Sequence, residues 1–198
     1  MDLEFLDQQS KVKPLLMRLY ESRRLLGLGQ DKKDVLKTEL SDAIFELLDV
    51  RLSSREQELV ADVMIALLRQ AEQDFRQALA VRLAAMENVP LPLVVHLAKD
   101  EIDIARPILE RSLVLSDLDL MEIIKSKSSE YWQAIARRHL LSHQVMNALA
   151  DTGDFDTAMA LAQNEYIILN EYVICFVFLG AECYSVLAIV FVFCFELI

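Results

Sequence analysis

"IARPILERSLVLSDLDLMEIIKSK", residues 104–127, holds the pattern whose reading decides the fold. It opens on a six-residue motif, IARPIL (104–109). Past the corner Ser116-Asp117 it runs into a second apolar segment, SDLDLMEIIKSK. The motif returns as LAVRLA at 79–84, as IARRHL at 135–140 and, more weakly, as MALAQN at 159–164. The clear copies are each followed by a second apolar segment, LPLVVHLAKD after the first and LSHQVMNALADTGD after the third. Two short helices cannot bury their apolar faces alone, and stacking successive pairs solves that problem. The linkers suit helix corners: Pro90 and Pro92, Ser116-Asp117, and Asp151-Thr152-Gly153-Asp154.

The flanking sequence is helical too. Only four Gly and four Pro interrupt 198 residues, and Ala, Leu, Glu, Gln and Arg dominate up to residue 164. KPLLMRLYESRRLLGLG predicts a first helix carrying Leu15, Leu16, Leu19 and Leu26, stopped at Gly27 or Gly29. KKDVLKTELSDAIFELLDV predicts a second, with Val35, Leu36, Leu40, Ile44, Leu47 and Leu48 on one side. LSSREQELVADVMIALLRQAE carries the best-marked start. Ser53 stands three residues before Glu56 as in a capping box, and Leu59, Val60, Val63, Ile65, Leu67 and Leu68 follow. The expected fold is an all-α solenoid of helix pairs over 51–164, after an N-terminal helical segment over 1–50 and before a hydrophobic tail over 165–198.

The segment from LSSREQELVADVM through VRLAAMENVPLPLVVHLAKDEIDIARPILERSLVLSDLDLMEII to AIARRHLLSHQVMNALADTGD resembles an uncharacterised bacterial family of HEAT-like helical proteins, domain-of-unknown-function family 2336. The likeness covers about residues 50–164. It implies a HEAT-like right-handed solenoid and no activity. After LAQN the chain departs from the family's mixed apolar and charged texture.

Charge divides the chain sharply. Residues 1–164 carry all 20 Lys and Arg, all three His and no Cys, for a net charge of about −7 out of the formal −11. That sign disfavours a broad nucleic-acid footprint, which needs clustered cations to displace phosphate counterions. Residues 165–198 carry four Glu, no basic residue, and Cys175, Cys183 and Cys194. A body without cysteine has no disulfide framework, and MDLEFLDQQSKVK lacks the apolar region of a secretory signal.

Three readings of the tail compete. YVICFVFLGAECYSVLAIVFVFCF, residues 172–195, is interrupted only by Gly180, Glu182 and Ser185. As one helix it would be about 36 Å long, enough to cross a hydrocarbon core of about 30 Å. The body would then sit in the cytoplasm, anchored to the inner membrane. Alternatively the tail is a terminus altered by a shifted frame or truncation, leaving a copy of reduced function, or it is the buried end of the solenoid.

Few residues invite chemistry. His139 and His143, at i and i+4, would face one way on a helix, but a zincin needs Glu where Leu140 stands. His96 lies among apolar neighbours in LVVHLA, where a hydrogen-bonded helix-face histidine is expected. Tyr131 and Trp132 are expected to fill space between helices, and the serines of SSREQE and KSKSSE to cap helices or form corners. There is no Gly-rich phosphate loop, CxxC pair or nucleophile elbow, so no catalytic, cofactor or metal residue is expected.

Arg76, Arg82, Arg106, Arg111, Arg137 and Arg138 recur near the repeated motif and form the candidate interaction surface, gripping carboxylates or phosphates. The competing arrangement is an internal ladder in which each Arg pairs with a neighbouring acid such as Asp100, Asp103, Glu110 or Asp117. The expected function is a non-catalytic scaffold for a protein partner. The alternative is a HEAT-like base glycosylase, in which the arginines would line a groove and Asp100 or Asp103 would serve catalysis.

Overall fold

The computed structural model describes Met17, Asp42, residues 44–46 and residues 52–174, and every regular element among them is an α-helix. In chain order these are α1 (Ser54–Leu68), α2 (Gln73–Leu83), α3 (Leu91–Ala98), α4 (Ile102–Arg111), α5 (Asp117–Ser126), α6 (Ser129–Ala136), α7 (His143–Ala150) and α8 (Phe155–Ala162). Residues 44–46 and 171–174 are also helical. The first expected helix, apart from helical Met17, and the tail from Cys175 onward lie outside the described residues. No helix among the described residues is long and apolar enough to cross a membrane.

Local sequence sets the helix ends. The Ser53 amide donates to the Glu56 carboxylate at 2.9 Å, fixing the start of α1 as the capping box predicts. Pro90 is the N-cap of α3 and Pro92 follows in its first turn, where a missing N–H costs nothing. Ser116 and Asp119 close a reciprocal box on α5: the Ser116 amide donates at 2.9 Å, and the Asp119 amide returns the bond to the Ser116 hydroxyl at 3.4 Å. The corner after α7 turns on Gly153, whose φ of +72° is the left-handed conformation glycine tolerates best.

Contacts divide the chain into two compact units, one of residues 1–108 and 112–114, the other of 109–111 and 115–198. In the first, α1 packs on α3. Val60, Ala61, Met64, Leu67 and Leu68 are buried on α1, and Leu93, Val94, Leu97 and Ala98 on α3. Leu59 and Ile65, placed on the buried face by sequence, are only half-buried, and Met64 takes the deeper place.

In the second unit, α5 packs on α6 and α7, α6 on α7 and α8, and α7 on α8. Of these, α5 and α6 each meet their successor and the one after. The core here is Leu120, Ile123 and Ile124, then Ala134 to Ala136, then Val145, Met146 and Leu149, then Ala158 and Leu161. Trp132 is half-buried and its indole N–H donates to the Ile124 carbonyl at 2.8 Å, which ties α6 to α5.

The repeated motif keeps its apolar pair and loses its register. Leu79-Ala80, Ile104-Ala105 and Ile135-Ala136 are all buried, so that pair is the shared core element. The motif closes α2 and lies mid-way in α4, where Pro107 leaves the Asp103 carbonyl without a helical donor and the helix still runs on to Arg111. In the third copy only Ile135 and Ala136 are helical, and Arg137 to Leu140 form a loop. The arginines therefore do not recur at equivalent helix positions.

Polar side chains link helix starts one period apart. Asp154 caps α8 by accepting from the Thr157 amide at 2.8 Å and hydroxyl at 2.6 Å, and it also accepts from the Ser129 hydroxyl, 25 residues earlier, at 2.8 Å. These bonds, first that of the Thr157 hydroxyl, hold the Asp154 carboxyl below its ordinary range against the opposing effect of burial. A depressed carboxylate contributes stability above its unfolded value of 3.8 and loses it as pH falls through the lower folded value. Asp154→Ala should therefore destabilise by about 1 kcal/mol at neutral pH, as lost N-caps do. The deficit against wild type should shrink below about pH 4 in urea titrations run as a pH series.

Candidate docking surface

The six arginines go to different places. Arg76 on α2 stands 3.5 Å from Asp100 Oδ2 through Nε and 3.3 Å from Glu101 Oε1 through Nη2, so it reads as one rung of a ladder to the start of α4. That pairing ties up Asp100, one of the two carboxylates considered for catalysis, while Asp103 is exposed in the first turn of α4. Arg82, though exposed, places its guanidinium carbon over the Phe45 ring, 3.6 Å from the centroid. Arg106, Arg111 and Arg137 are exposed.

Arg138 turns inward. It is 5% exposed, and its Nη1 donates to the Leu109 carbonyl in the last turn of α4. Burial pushes its pKa down and Asp117 pulls it back up; an arginine stays protonated under both. It belongs to the packing and not to an exposed surface.

The histidines also separate. His139 lies in the loop after α6 and His143 is the first residue of α7, with Ser142 as its N-cap accepting from the Val145 amide at 3.3 Å. They do not share a helix face, because the helix on which i and i+4 would align ends at Ala136. Among the described residues no three or more His, Cys, Asp or Glu side chains come together as a metal-holding group. His96 is half-buried on α3. Burial lowers its pKa first, with Asp100 raising it and Arg69 and Arg76 lowering it further.

What sequence did not single out is a knot of two loops in the second unit. Asn164, just past the end of α8, donates from Nδ2 to the Ala136 carbonyl at 2.7 Å and to the Arg138 carbonyl at 2.8 Å. Its Oδ1 accepts from the Tyr166 amide at 3.0 Å. One amide side chain thus satisfies two carbonyls at the end of α6 and folds the 164–170 loop back on the 137–142 loop. Tyr166 then stacks on His139, with centroids 3.9 Å apart and planes 15° from parallel.

The knot holds large apolar groups out in solvent. Leu140 is 70% exposed, Tyr166 66% and Ile168 87%, with exposed Arg137 beside them in sequence. Asn170 completes the arrangement: its Nδ2 donates to Asn147 Oδ1 on α7 at 2.8 Å, and its Oδ1 accepts from the Val173 amide at 2.9 Å. That second bond is an N-cap for the helical residues 171–174. Tyr172 adds a hydrogen bond from its hydroxyl to Asp151.

Among the described residues the protein is thus all-helical, with a polar-tied loop pair that presents apolar and aromatic side chains. Residues 104–174 match the model of a family described as an uncharacterised protein conserved in bacteria (DUF2336). That match starts inside α4, later than the resemblance read from residue 50. It ends at Ile174, so the loop 165–170 and its capped helical residues lie within it, past the departure read at Asn164. No curated protein and no solved structure matches the chain.

Proposed function

We propose that the protein is a non-catalytic docking scaffold of stacked, HEAT-like helix pairs, and that the 137–140 and 164–168 loops are where a partner protein binds. The observation that carries this reading is the set Leu140, Tyr166 and Ile168, held in solvent by the fully used Asn164 amide. Fixing such groups in advance lowers the ordering entropy that binding would otherwise consume. Tyrosine beside apolar side chains and an arginine is the composition from which binding hot spots are drawn. Arg137 would supply the charged contact at the rim.

The stacked-pair reading is supported by α5 and α6 each meeting their two successors and by the 25-residue tie between Ser129 and Asp154. The glycosylase alternative loses ground where its arginines scatter, with Arg138 buried, Arg76 paired with Asp100 and the exposed Arg82 set over the Phe45 ring.

The test is affinity capture from bacterial extract with Leu140→Asp/Tyr166→Ser beside wild type. A specific protein retained by wild type and lost from the double variant is the expected result, with stability lowered by no more than about 1 kcal/mol, the share of the Tyr166–His139 stack. Equal capture by both would place the docking surface elsewhere.

A further inference from the structure

The outer face of α8 is apolar and edged by acid. Phe155 is 74% exposed and Met159, one turn on, 39%, and Ala162 is exposed a turn after that. The helix buries Thr157, Ala158, Ala160 and Leu161 and packs on α6 and α7, so the stripe is what that packing leaves in solvent. At 1.5 Å per residue it is about 10 Å long, or two turns. A phenylalanine and a methionine at i and i+4 offer a ring and a flexible thioether, which adapt well to the apolar face of another helix.

The charge along this part of the chain has one sign. From His139 to Ile174 it carries Asp151, Asp154, Asp156, Glu165 and Glu171, and no Lys or Arg. Asp156 is exposed at the edge of the stripe, next to Phe155 and three residues before Met159. Glu165 is exposed just past the end of α8, and Glu171 at the start of the helical residues 171–174. Among the described residues no ion pair neutralises these three. An anionic lipid surface, or the same face of a second copy, would bring negative charge against negative charge. A cationic partner gains from every one of these carboxylates.

We infer that the outer face of α8 is a second docking site, and that its occupant is a cationic amphipathic helix of a partner protein. The apolar side of that helix lies on the Phe155–Met159–Ala162 stripe, read as anchors one turn apart. Its Lys or Arg residues answer Asp156 and the acids that follow α8. The docking loops at 137–140 and 164–168 use other side chains, so this site stands or falls separately from the proposed function.

The test is fluorescence anisotropy of a labelled peptide of about 14 residues, leucine at helical spacing and lysine elsewhere, titrated with the full-length protein. Wild type should bind it, and binding should weaken as salt is raised from roughly 50 to 300 mM. Phe155→Ser/Met159→Ser leaves every charge in place and should weaken binding at least about tenfold. If that pair does not fold, Phe155→Ser alone reads the same face. Asp156→Lys should weaken binding about threefold or more. Leu140→Asp/Tyr166→Ser should not weaken it. Equal binding by the serine variant would mean that net charge alone holds the peptide, and would overturn the site. Loss with Leu140→Asp/Tyr166→Ser would put the peptide on the loops and overturn it too. So would failure of wild type to bind, equal binding of the same peptide with glutamate for lysine, or a dimer of the protein that the serine variant dissociates.

Discussion

Arg138→Ala should lower the unfolding free energy by about 3 kcal/mol, while the neighbouring Arg137→Ala should change it by no more than about 0.5 kcal/mol. The two residues are adjacent in sequence and both belong to the arginine set, yet one is buried and the other exposed. A hydrogen bond from a charged donor is worth about 1.5–3 kcal/mol, and truncation here also strands the Leu109 carbonyl inside the protein. Lost packing of the arginine stem adds to that. Urea denaturation of the two variants beside wild type checks the contrast. Equal midpoints would mean that Arg138 is not the anchor between the end of α4 and the loop after α6. Arg138→Met should recover part of the loss, since it refills the volume and still leaves the carbonyl without a donor.

That contrast also marks where sequence was legible. The capped start at Ser53 was read from one residue and its third neighbour, and Ser116 and Asp154, read only as parts of corners, turn out to be N-caps as well, so the helices were readable one at a time. The buried pairs Leu79-Ala80, Ile104-Ala105 and Ile135-Ala136 were visible as a repeat because stacking demands the same apolar patch each time. The arginines after those pairs looked equivalent for the same reason. They are not, because α6 ends at Ala136 while α4 continues through its motif to Arg111. Where a helix stops is decided by what satisfies its last carbonyls. Here that is a side chain 28 residues away from Ala136, which no local pattern reveals.

The candidate surface was hidden by the same mechanism. Arg137 could be named from sequence, but Tyr166 and Ile168 fell after LAQN, where apolar texture made the chain look foreign to the body. Asn164 itself stood in the weakest copy of the motif, at a place held by Ala84, Leu109 and Leu140 in the others. A polar residue at that place was the available signal. The histidine pair misled in the opposite direction: i, i+4 spacing is informative only if one helix spans both residues, and Ser142 restarts the helix between them.

Asn164→Ala should cost about 2 kcal/mol, two donor bonds and one acceptor bond taken toward the lower end of their net strength because the residue is only part-buried. Asn164→Asp, though the same shape, should cost more at neutral pH, about 3 kcal/mol. The reason is the direction of the bonds. The amide nitrogen faces the Ala136 and Arg138 carbonyls at 2.7 and 2.8 Å, and an ionised carboxylate would point an acceptor at two acceptors. That repulsion raises the introduced group's folded pKa above its unfolded value of about 3.9. A raised carboxyl gives its stabilising share below the unfolded value and loses it as pH rises through the folded one. The Asp variant should therefore approach or pass the Ala variant near pH 4, where the protonated carboxyl regains one donor, and fall behind it by pH 7. Urea titrations of both variants at the two pH values decide the matter, and a gap independent of pH would mean that the amide does not donate to these carbonyls. Both variants should also lose the captured partner at pH 7, because without the Asn164 bonds Tyr166 no longer has a fixed place on His139. Capture retained by a destabilised Asn164→Ala protein would separate the knot's structural role from binding and remove Tyr166 from the docking surface.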